Sequence, residues 1–361
     1  MNMKFLALAF LIICTASSVG FSTDGKKLYQ VITSHPHDLE EIEDHVRTVY
    51  QNGRLWIVEV KDGAPEEIYH HLRETTGRER SYMHDEVLIT NKAFSQKTKD
   101  FRSLIEEVDE DNIKKDVEFL SSFKSRATGT KGNIDALKEL KERFKKMNFL
   151  VEEICYEKNS CSLIAERKGS VKPTSVVMTM AHIDSVGKDY AGADDNGSGV
   201  AVLMEIAKRV AGYTNKKTLR FFISNGEELN LLGSTHYARF LEKRDEIQNL
   251  DLVINMDMVG YNSNGVVELE TDPREKELAE WFSALAGKYT DLQTKITLGA
   301  WGSDHVPFLK RGAPAILTIE DWSTKTPCYH MACDTPDTLN YSYAASIGKL
   351  NLSAILHKDI E

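Results

Sequence analysis

Residues 176–199 read VVMTMAHIDSVGKDYAGADDNGSG, and the fold is read from the way this stretch changes character along its length. Val176, Val177 and Met178, with the residues up to Ala181, are β-prone and uncharged, which predicts a buried strand that delivers His182 at its C-terminal end. Beyond it, His182-Ile183-Asp184 and then Ala193-Asp194-Asp195-Asn196-Gly197-Ser198-Gly199 set an imidazole and carboxylates at a strand end, the raw material of a metal site. The glycines permit a tight turn, and Ser198 is expected to N-cap an apolar helix carrying Val200, Leu203, Met204, Ile206 and Val210. Asp195 then sits beside a helix N-terminus, where a carboxylate is favoured. The same stretch alone also fits a core histidine followed by a solvated acidic turn, so the rest of the chain has to decide.

Outward from it, residues 218–224, 250–256 and 313–319 are further apolar, β-rich runs. Helical character lies between them, at 232–243 and 275–289, and 343–357 closes the chain. Upstream, Leu137, Leu140, Phe144 and Met147 recur at helical spacing and predict an amphipathic helix over 133–148, followed by a hairpin with Cys155 and Cys161 on its arms. Strands alternating with helices imply an α/β fold, with a mostly parallel central sheet and helices on both faces. Ligands of such a sheet gather at the carboxyl ends of the strands.

At 361 residues the chain has room for one large domain and a small one, and 41% hydrophobic with 28% charged residues describes a globular protein. A net charge of -10 leaves no basic excess for phosphates and excludes nucleic acid as the partner. Lys4, the apolar run 5–14 and the small residues 15–18 read as a signal peptide over residues 1–20, cleaved after Ser18 or Gly20, so the protein is expected to be secreted or periplasmic. Ile13 before Cys14 argues against lipoprotein attachment, and no later stretch is apolar for long enough to anchor the chain. Export makes disulfides expected for the other four cysteines, and local pairing of Cys155 with Cys161 and Cys328 with Cys333 is preferred among the three connectivities. A zinc site built from all four cysteines fits those spacings poorly.

Residues 24–92 change pattern several times. Leu28, Tyr29, Val31 and Ile32 suggest a strand and Asp38 to Glu43 an acidic helix; two strand-like runs then flank Asn52-Gly53, a strong hairpin signal. Pro65 opens a second helix through Ile68, His71 and Leu72, and 82–90 gives a last strand. That β-α-β-β-α-β order is a small ferredoxin-like α+β unit, and its place between a signal peptide and a larger domain resembles the inhibitory propeptides of secreted peptidases. His35, His37, His45, His70 and His71 show no metal-site spacing and are expected at the surface. Residues 93–110 are polar and carry Lys97, Lys99 and Arg102, which predicts a linker open to maturation cleavage before a catalytic domain at 111–361.

The strand-end rule provides a test. The run 218–224 ends in Asn225-Gly226-Glu227-Glu228, the run 250–256 is followed by Asp257, and after 313–319 comes Cys328-Tyr329-His330-Met331-Ala332-Cys333-Asp334-Thr335. These residues suit two zinc ions with nitrogen and oxygen ligands, a bridging carboxylate and a position left open for water. Ions about 3.5 Å apart polarise a carbonyl and activate a shared water, and a carboxylate that is not a ligand takes its proton. Glu227 and Glu228 could divide the roles of base and ligand. On these motifs, with Ser125-Arg126-Ala127-Thr128-Gly129-Thr130 and Gly302-Ser303-Asp304-His305-Val306-Pro307-Phe308, the chain from about Ile113 onward resembles the secreted di-zinc aminopeptidases of the bacterial leucyl aminopeptidase kind, which are zinc exopeptidases.

The resemblance implies that His182 and Asp257 hold one zinc, Glu228 and His330 the other, and that Asp195 bridges them, with Asp194 a neighbour. It assigns Glu227 as general base and Asp184 as the carboxylate that orients the His182 ring. Asp304 and His305 receive no catalytic step and could equally cap a helix near Val306. Peptide or protein N-termini are the implied substrates, the prodomain an intramolecular inhibitor or chaperone, and the enzyme a monomer. Tyr261, Trp301, Phe308 and Trp322 are candidates for an apolar pocket, although core packing explains each as well. Competing readings are a glutaminyl-peptide cyclotransferase on the same fold, a zinc carboxypeptidase or dipeptidase, and a binding ectodomain without metal. The Asn225-to-Leu229 run leading into Leu232-Gly233-Ser234 looks more like the peptidases. The complete ligand set argues against the ectodomain, since a buried acidic cluster without metal is costly.

Overall fold

The computed structural model describes residues 28–32, 45–52, 55–62, 73–74, 86–88 and 101–361, apart from 188, 263, 300 and 301. The expected signal peptide, both helices of the N-terminal unit, Lys97, Lys99 and Trp301 lie outside the described residues. The chain divides into two compact units near residue 85.

In the first unit, β1 (Leu28–Ile32), β2 (Val46–Asn52), β3 (Leu55–Val60) and β4 (Arg73–Glu74) form an antiparallel sheet in the order β2-β3-β1-β4. β2 and β3 pair as far as Asn52 opposite Leu55, the hairpin that Asn52-Gly53 signals. The strand expected over 82–90 does not close this sheet. Its described part, β5 (Glu86–Leu88), pairs with the larger unit, and Arg73–Glu74 takes the fourth position. A short alternating run says that a strand forms, and leaves open which sheet edge it joins.

The second unit is built on a nine-stranded sheet. β6 (Leu150–Glu157), β7 (Ser160–Arg167), β8 (Lys172–His182), β9 (Lys217–Ser224), β10 (Leu250–Met256), β11 (Val266–Thr271), β12 (Gln293–Leu298) and β13 (Ala315–Glu320) join β5 in the order β5-β12-β11-β13-β10-β8-β9-β7-β6. The central run β13-β10-β8-β9 is parallel throughout, as is β11 with β12. The fold is thus the expected α/β architecture with a mixed, mostly parallel core sheet. β11 and β12 are additions to the expected set, because Glu268, Glu270, Lys295 and the threonines break their sequences into no continuous apolar run. Glu268 is buried there and is satisfied by Lys295 (3.3 Å), the Thr297 hydroxyl (2.5 Å) and the Trp322 N–H (3.0 Å).

β8 is buried from Val176 onward, where both of its faces are covered. Val177 and Ala181 face a core shared with α1 (Arg102–Glu106), α2 (Glu110–Ser121), α3 (Lys131–Lys146), α4 (Gly199–Val210), α6 (Lys276–Tyr289) and α8 (Tyr341–Ile360). Val176, Met178 and Met180 face the opposite core, against α5 (Leu232–Lys243) and the short α7 (Val306–Leu309). Among the described residues, no helix is long and apolar enough to cross a membrane.

Two local expectations are corrected. Of the linker expected over 93–110, residues 101–110 are packed: Phe101, Ile105 and Val108 are buried in the first core, and Asp109 caps α2 by accepting the Asp111 N–H at 2.9 Å. The charged residues of this stretch lie on the outer face of a short helix, and its few apolar ones face inward. Ser198 does not cap α4 through its side chain. It is already helical, and Asn196 takes the capping role by accepting the N–H groups of Gly199 (3.0 Å) and Met258 (3.3 Å). The Ser198 hydroxyl instead donates to Asp194 O at 2.8 Å and accepts the Val259 N–H at 2.9 Å.

Phe144 of α3 is fully buried and its ring meets Phe149 (5.6 Å) and Phe221 (6.0 Å), tying helix to sheet. Phe144→Ala is expected to cost about 3–5 kcal/mol in urea denaturation. A loss below about 1 kcal/mol would mean that this contact does not hold the layers together.

Candidate metal centre

Strand register brings the site together before any side chain is considered. In the parallel centre His182 stands beside Ser224 and Met180 beside Asn255, so the residues at or just past the ends of β8, β9 and β10 emerge side by side. These are His182, Glu227, Glu228 and Asp257. The turn after β8 returns Asp195, and the loop after β13 brings His330.

The resulting contacts are close. His182 Nε2 lies 3.3 Å from Asp195 Oδ1 and 3.3 Å from Asp257 Oδ1, while His330 Nε2 lies 3.0 Å from Asp195 Oδ2 and 3.3 Å from Glu228 Oε2. Three sets have ligand atoms within 4.8 Å of one another: His182 with Asp195 and Asp257, Asp195 with Glu228 and His330, and His182 with Glu227 and Glu228. All are buried. Each oxygen of Asp195 faces one imidazole nitrogen, and Oε1 of Glu228 has no hydrogen-bond partner among the described residues.

That arrangement fits a cation. His182 Nδ1 is 3.0 Å from the Asp184 main-chain oxygen and donates to it, which turns the Nε2 lone pair toward two carboxylates. Lone pairs of nitrogen and oxygen facing each other at these distances need a proton or a metal ion between them. The donor set of two imidazoles and several carboxylates is one that zinc accepts.

Electrostatics points the same way. Burial disfavours charge on His182, but Asp257 and Glu227 outweigh it and hold its pKa well above the usual value. His330, also buried, is raised to about 9 by Glu228 and Asp195. Burial would raise Asp195, yet the two imidazoles hold it well below the usual carboxylate range. Burial and the Asp195 charge push Glu228 up to about 7. Without metal, the cage therefore keeps protons where a divalent ion would replace them.

Around this cage the structure supplies partners that the sequence motifs carry without announcing. Asp184 accepts the N–H groups of Glu227 (3.2 Å) and Glu228 (3.1 Å) and the Thr128 hydroxyl (3.2 Å), so one carboxylate fixes both the glutamate turn and, through its main chain, the His182 ring. Asn133 and Asn225 exchange side-chain hydrogen bonds at 3.0 Å behind it. Arg126 is fully buried and donates to the carbonyls of Leu120, Ile183, Ala191 and Gly192, spanning the turn between His182 and Asp195. Ser303 donates to Asp257 Oδ2 at 2.7 Å and accepts from Asn255 at 2.7 Å, leaving Oδ1 toward His182. Asp304 accepts from Ser224 and is pushed up to about 6 by burial, and His305 precedes α7 without capping it by its side chain. Asp194 accepts the Gly260 N–H at 2.8 Å and belongs to none of the three sets.

The aromatic candidates divide. Phe308 is core, packed on Tyr237. Trp322 meets Tyr329 edge-on, in an apolar cluster with Met258, Leu317 and Ile319, and Tyr329 stacks on His330 at 3.8 Å. Both cysteine pairs are bridged locally, Cys155 with Cys161 across β6 and β7 and Cys328 with Cys333 around His330.

Residues 162–355, which include all six cage residues, match the model of peptidase family M28. The chain belongs to this family. A probable leucine aminopeptidase of Trichophyton verrucosum is 28% identical over 273 residues, 69% of this chain and 73% of that one. Aminopeptidase YwaD of Bacillus subtilis is 31% identical over 192 residues, covering 52% of this chain and 42% of the relative. LapB from Legionella pneumophila superposes with a TM-score of 0.71 at 19% identity, over 92% of this chain and 99% of that one. Glutaminyl cyclase of Porphyromonas gingivalis shares the fold at a TM-score of 0.58 and 21% identity, over 68% of this M28 chain and 97% of the cyclase.

In this M28 chain the Cys328–Cys333 bridge closes a small loop around His330, whereas Cys155–Cys161 lies on the outer hairpin. Replacing the first pair by serines is expected to lower retained zinc, measured by mass spectrometry after dialysis, more than replacing the second. Equal retention would contradict this.

Proposed function

We propose that the protein is a secreted two-zinc aminopeptidase in which His182 and Asp257 would hold one ion, Glu228 and His330 the other, and Asp195 would be shared between them. The observation that carries this reading is the position of Asp195 between the two imidazoles, one oxygen toward each at 3.3 and 3.0 Å. Bound zinc would supply Lewis acidity for the scissile carbonyl and lower the pKa of an attacking water. Zinc dependence and the aminopeptidase class are supported by M28 membership and by the aminopeptidases among the similar proteins.

Within that frame each side chain has a task. Glu228 contacts His330 and serves as ligand, and the Glu227 carboxylate beside it takes the water proton and returns it to the leaving amine. Asp184 holds the main chain of both glutamates and, through its carbonyl, the His182 Nδ1–H, so base and ligand keep their spacing while the proton moves. Burial of Glu227 keeps bulk water from competing for that proton.

Two tests follow. Glu227→Gln is expected to lower kcat on aminoacyl chromogenic substrates by about 10²–10⁴-fold with zinc content unchanged, and N-acetylated substrates should resist both forms. Near-normal turnover by the variant would remove Glu227 from the mechanism, and cleavage of acetylated substrates would remove the aminopeptidase assignment. We further propose that the N-terminal unit restrains the enzyme until it is cut away, supported by Lys97 and Lys99 just ahead of Phe101, which is buried in the core of the larger unit. Limited trypsin should cut there in preference to Arg102, whose side chain donates to Lys288 O at 3.2 Å from within α1, and activity should rise. Full activity in the uncut chain would contradict this.

A further inference from the structure

Asp334 has no place in the ligand set, yet it is buried, at 2% exposure, directly beneath it. Its two carboxylate oxygens take consecutive main-chain donors: Oδ1 accepts the Asp194 N–H at 2.8 Å and Oδ2 the Asp195 N–H at 3.1 Å. Its own carbonyl accepts the Ala193 N–H at 3.3 Å. Three successive residues ending at Asp195 are therefore held by one residue of a distant loop.

That loop is the one that carries His330. Asp334 follows Cys333, whose bridge to Cys328 closes the loop, and turns within it bond Met331 N–H to Cys328 O (2.9 Å) and Asp334 N–H to Met331 O (3.1 Å). His330 stands in the left-handed region with φ of 55°, so its ring direction depends on this closed loop and not on a strand. Contacts thus form a ring: from the Asp195 main chain to the Asp334 carboxylate, along the bridged loop to His330, and from its Nε2 back to Asp195 Oδ2 at 3.0 Å. His182 is outside this ring, fixed by β8 and by Asp184. The Asp195 carboxylate faces only the two imidazoles, one of which is carried by this same loop, so its main-chain anchors on Asp334 set where it meets His330.

We propose that Asp334 is a positioning residue for the ion held by Glu228 and His330, setting the separation between the Asp195 carboxylate and the His330 ring. The inference rests on the two-zinc reading above. An asparagine here keeps the shape but offers one acceptor oxygen, and its NH₂ would face a main-chain N–H, so the grip on Asp194 and Asp195 is broken on one side. Partners of this kind typically change metal affinity by about 10–100-fold.

Asp359 provides a matched control. It is buried and also accepts consecutive main-chain donors, Lys216 N–H at 2.9 Å and Lys217 N–H at 2.8 Å, at the far end of β9. The experiment is competitive zinc titration against a chelator on the full chain, comparing wild type, Asp334→Asn and Asp359→Asn, with thermal melts of each metal-free protein. The expected result is two ions bound by wild type, about 10–100-fold weaker affinity for one of them in Asp334→Asn, and both retained at wild-type affinity in Asp359→Asn even where its melt is lowered. Both ions at wild-type affinity in Asp334→Asn, or the same loss in both variants, would overturn the inference while leaving the two-zinc reading intact. A wild-type protein that binds one ion would refute the two-zinc reading and the inference with it.

Discussion

Buried negative charge is the condition that this structure has to satisfy. Asp184, Asp194, Asp195, Glu227, Glu228, Asp257, Asp304 and Asp334 all lie at the carboxyl edge of the central sheet with almost no exposure. Carboxylates removed from water are costly unless donors or cations answer them. Several devices do so here. Main-chain N–H groups are aimed at Asp184, Asp194 and Asp334. Two imidazoles face Asp195, Asp257 and Glu228. Arg126, a buried cation lowered by burial to a pKa of about 10, places its charge near Asp334, Asp184 and Asp195 while its N–H groups are spent on carbonyls. Where the two imidazoles answer Asp195, Asp257 and Glu228 with protons, a divalent cation would answer them with its own charge.

Each cage residue is held by its own part of the fold. His182 and Asp257 are set by strand register, which cannot slip without turning β8 inside out between its two cores. Asp195 and His330 lie on turns and need other anchors. Asn196 supplies one, with its amide donating to Met256 O at 2.8 Å while its oxygen caps α4, and the bridged loop ending at Asp334 supplies another. Each proposed ligand therefore depends on a different part of the fold, and the two halves of the cage share Asp195.

Much of this was legible in the sequence, for identifiable reasons. A two-face-buried strand such as β8 and helices with one apolar stripe announce themselves by pattern, and the strand-end rule then selects His182, Glu227, Glu228 and Asp257. His330 lies on a loop and was reached through its motif. β11 and β12 were illegible because their buried polar residues are satisfied by partners distant in sequence, as Glu268 is by Thr297 and Trp322. The edge that β5 joins, the packing of residues 101–110 and the replacement of Ser198 by Asn196 at the helix start depend on neighbours distant in sequence. Ser303 and Asp334 stood within recognised motifs, but their partners, Asp257 and the main chain of Asp194 and Asp195, became visible only in three dimensions.

The claim on which the account turns is that Asp195 lies between two zinc ions. Anomalous diffraction at the zinc absorption edge, on crystals grown with zinc, tests it most directly. The account predicts two peaks, one within about 2.0–2.2 Å of an Asp195 oxygen on the side of His182 and Asp257, the other equally close to the second oxygen on the side of Glu228 and His330. A single peak, or two peaks of which one does not touch Asp195, would contradict it.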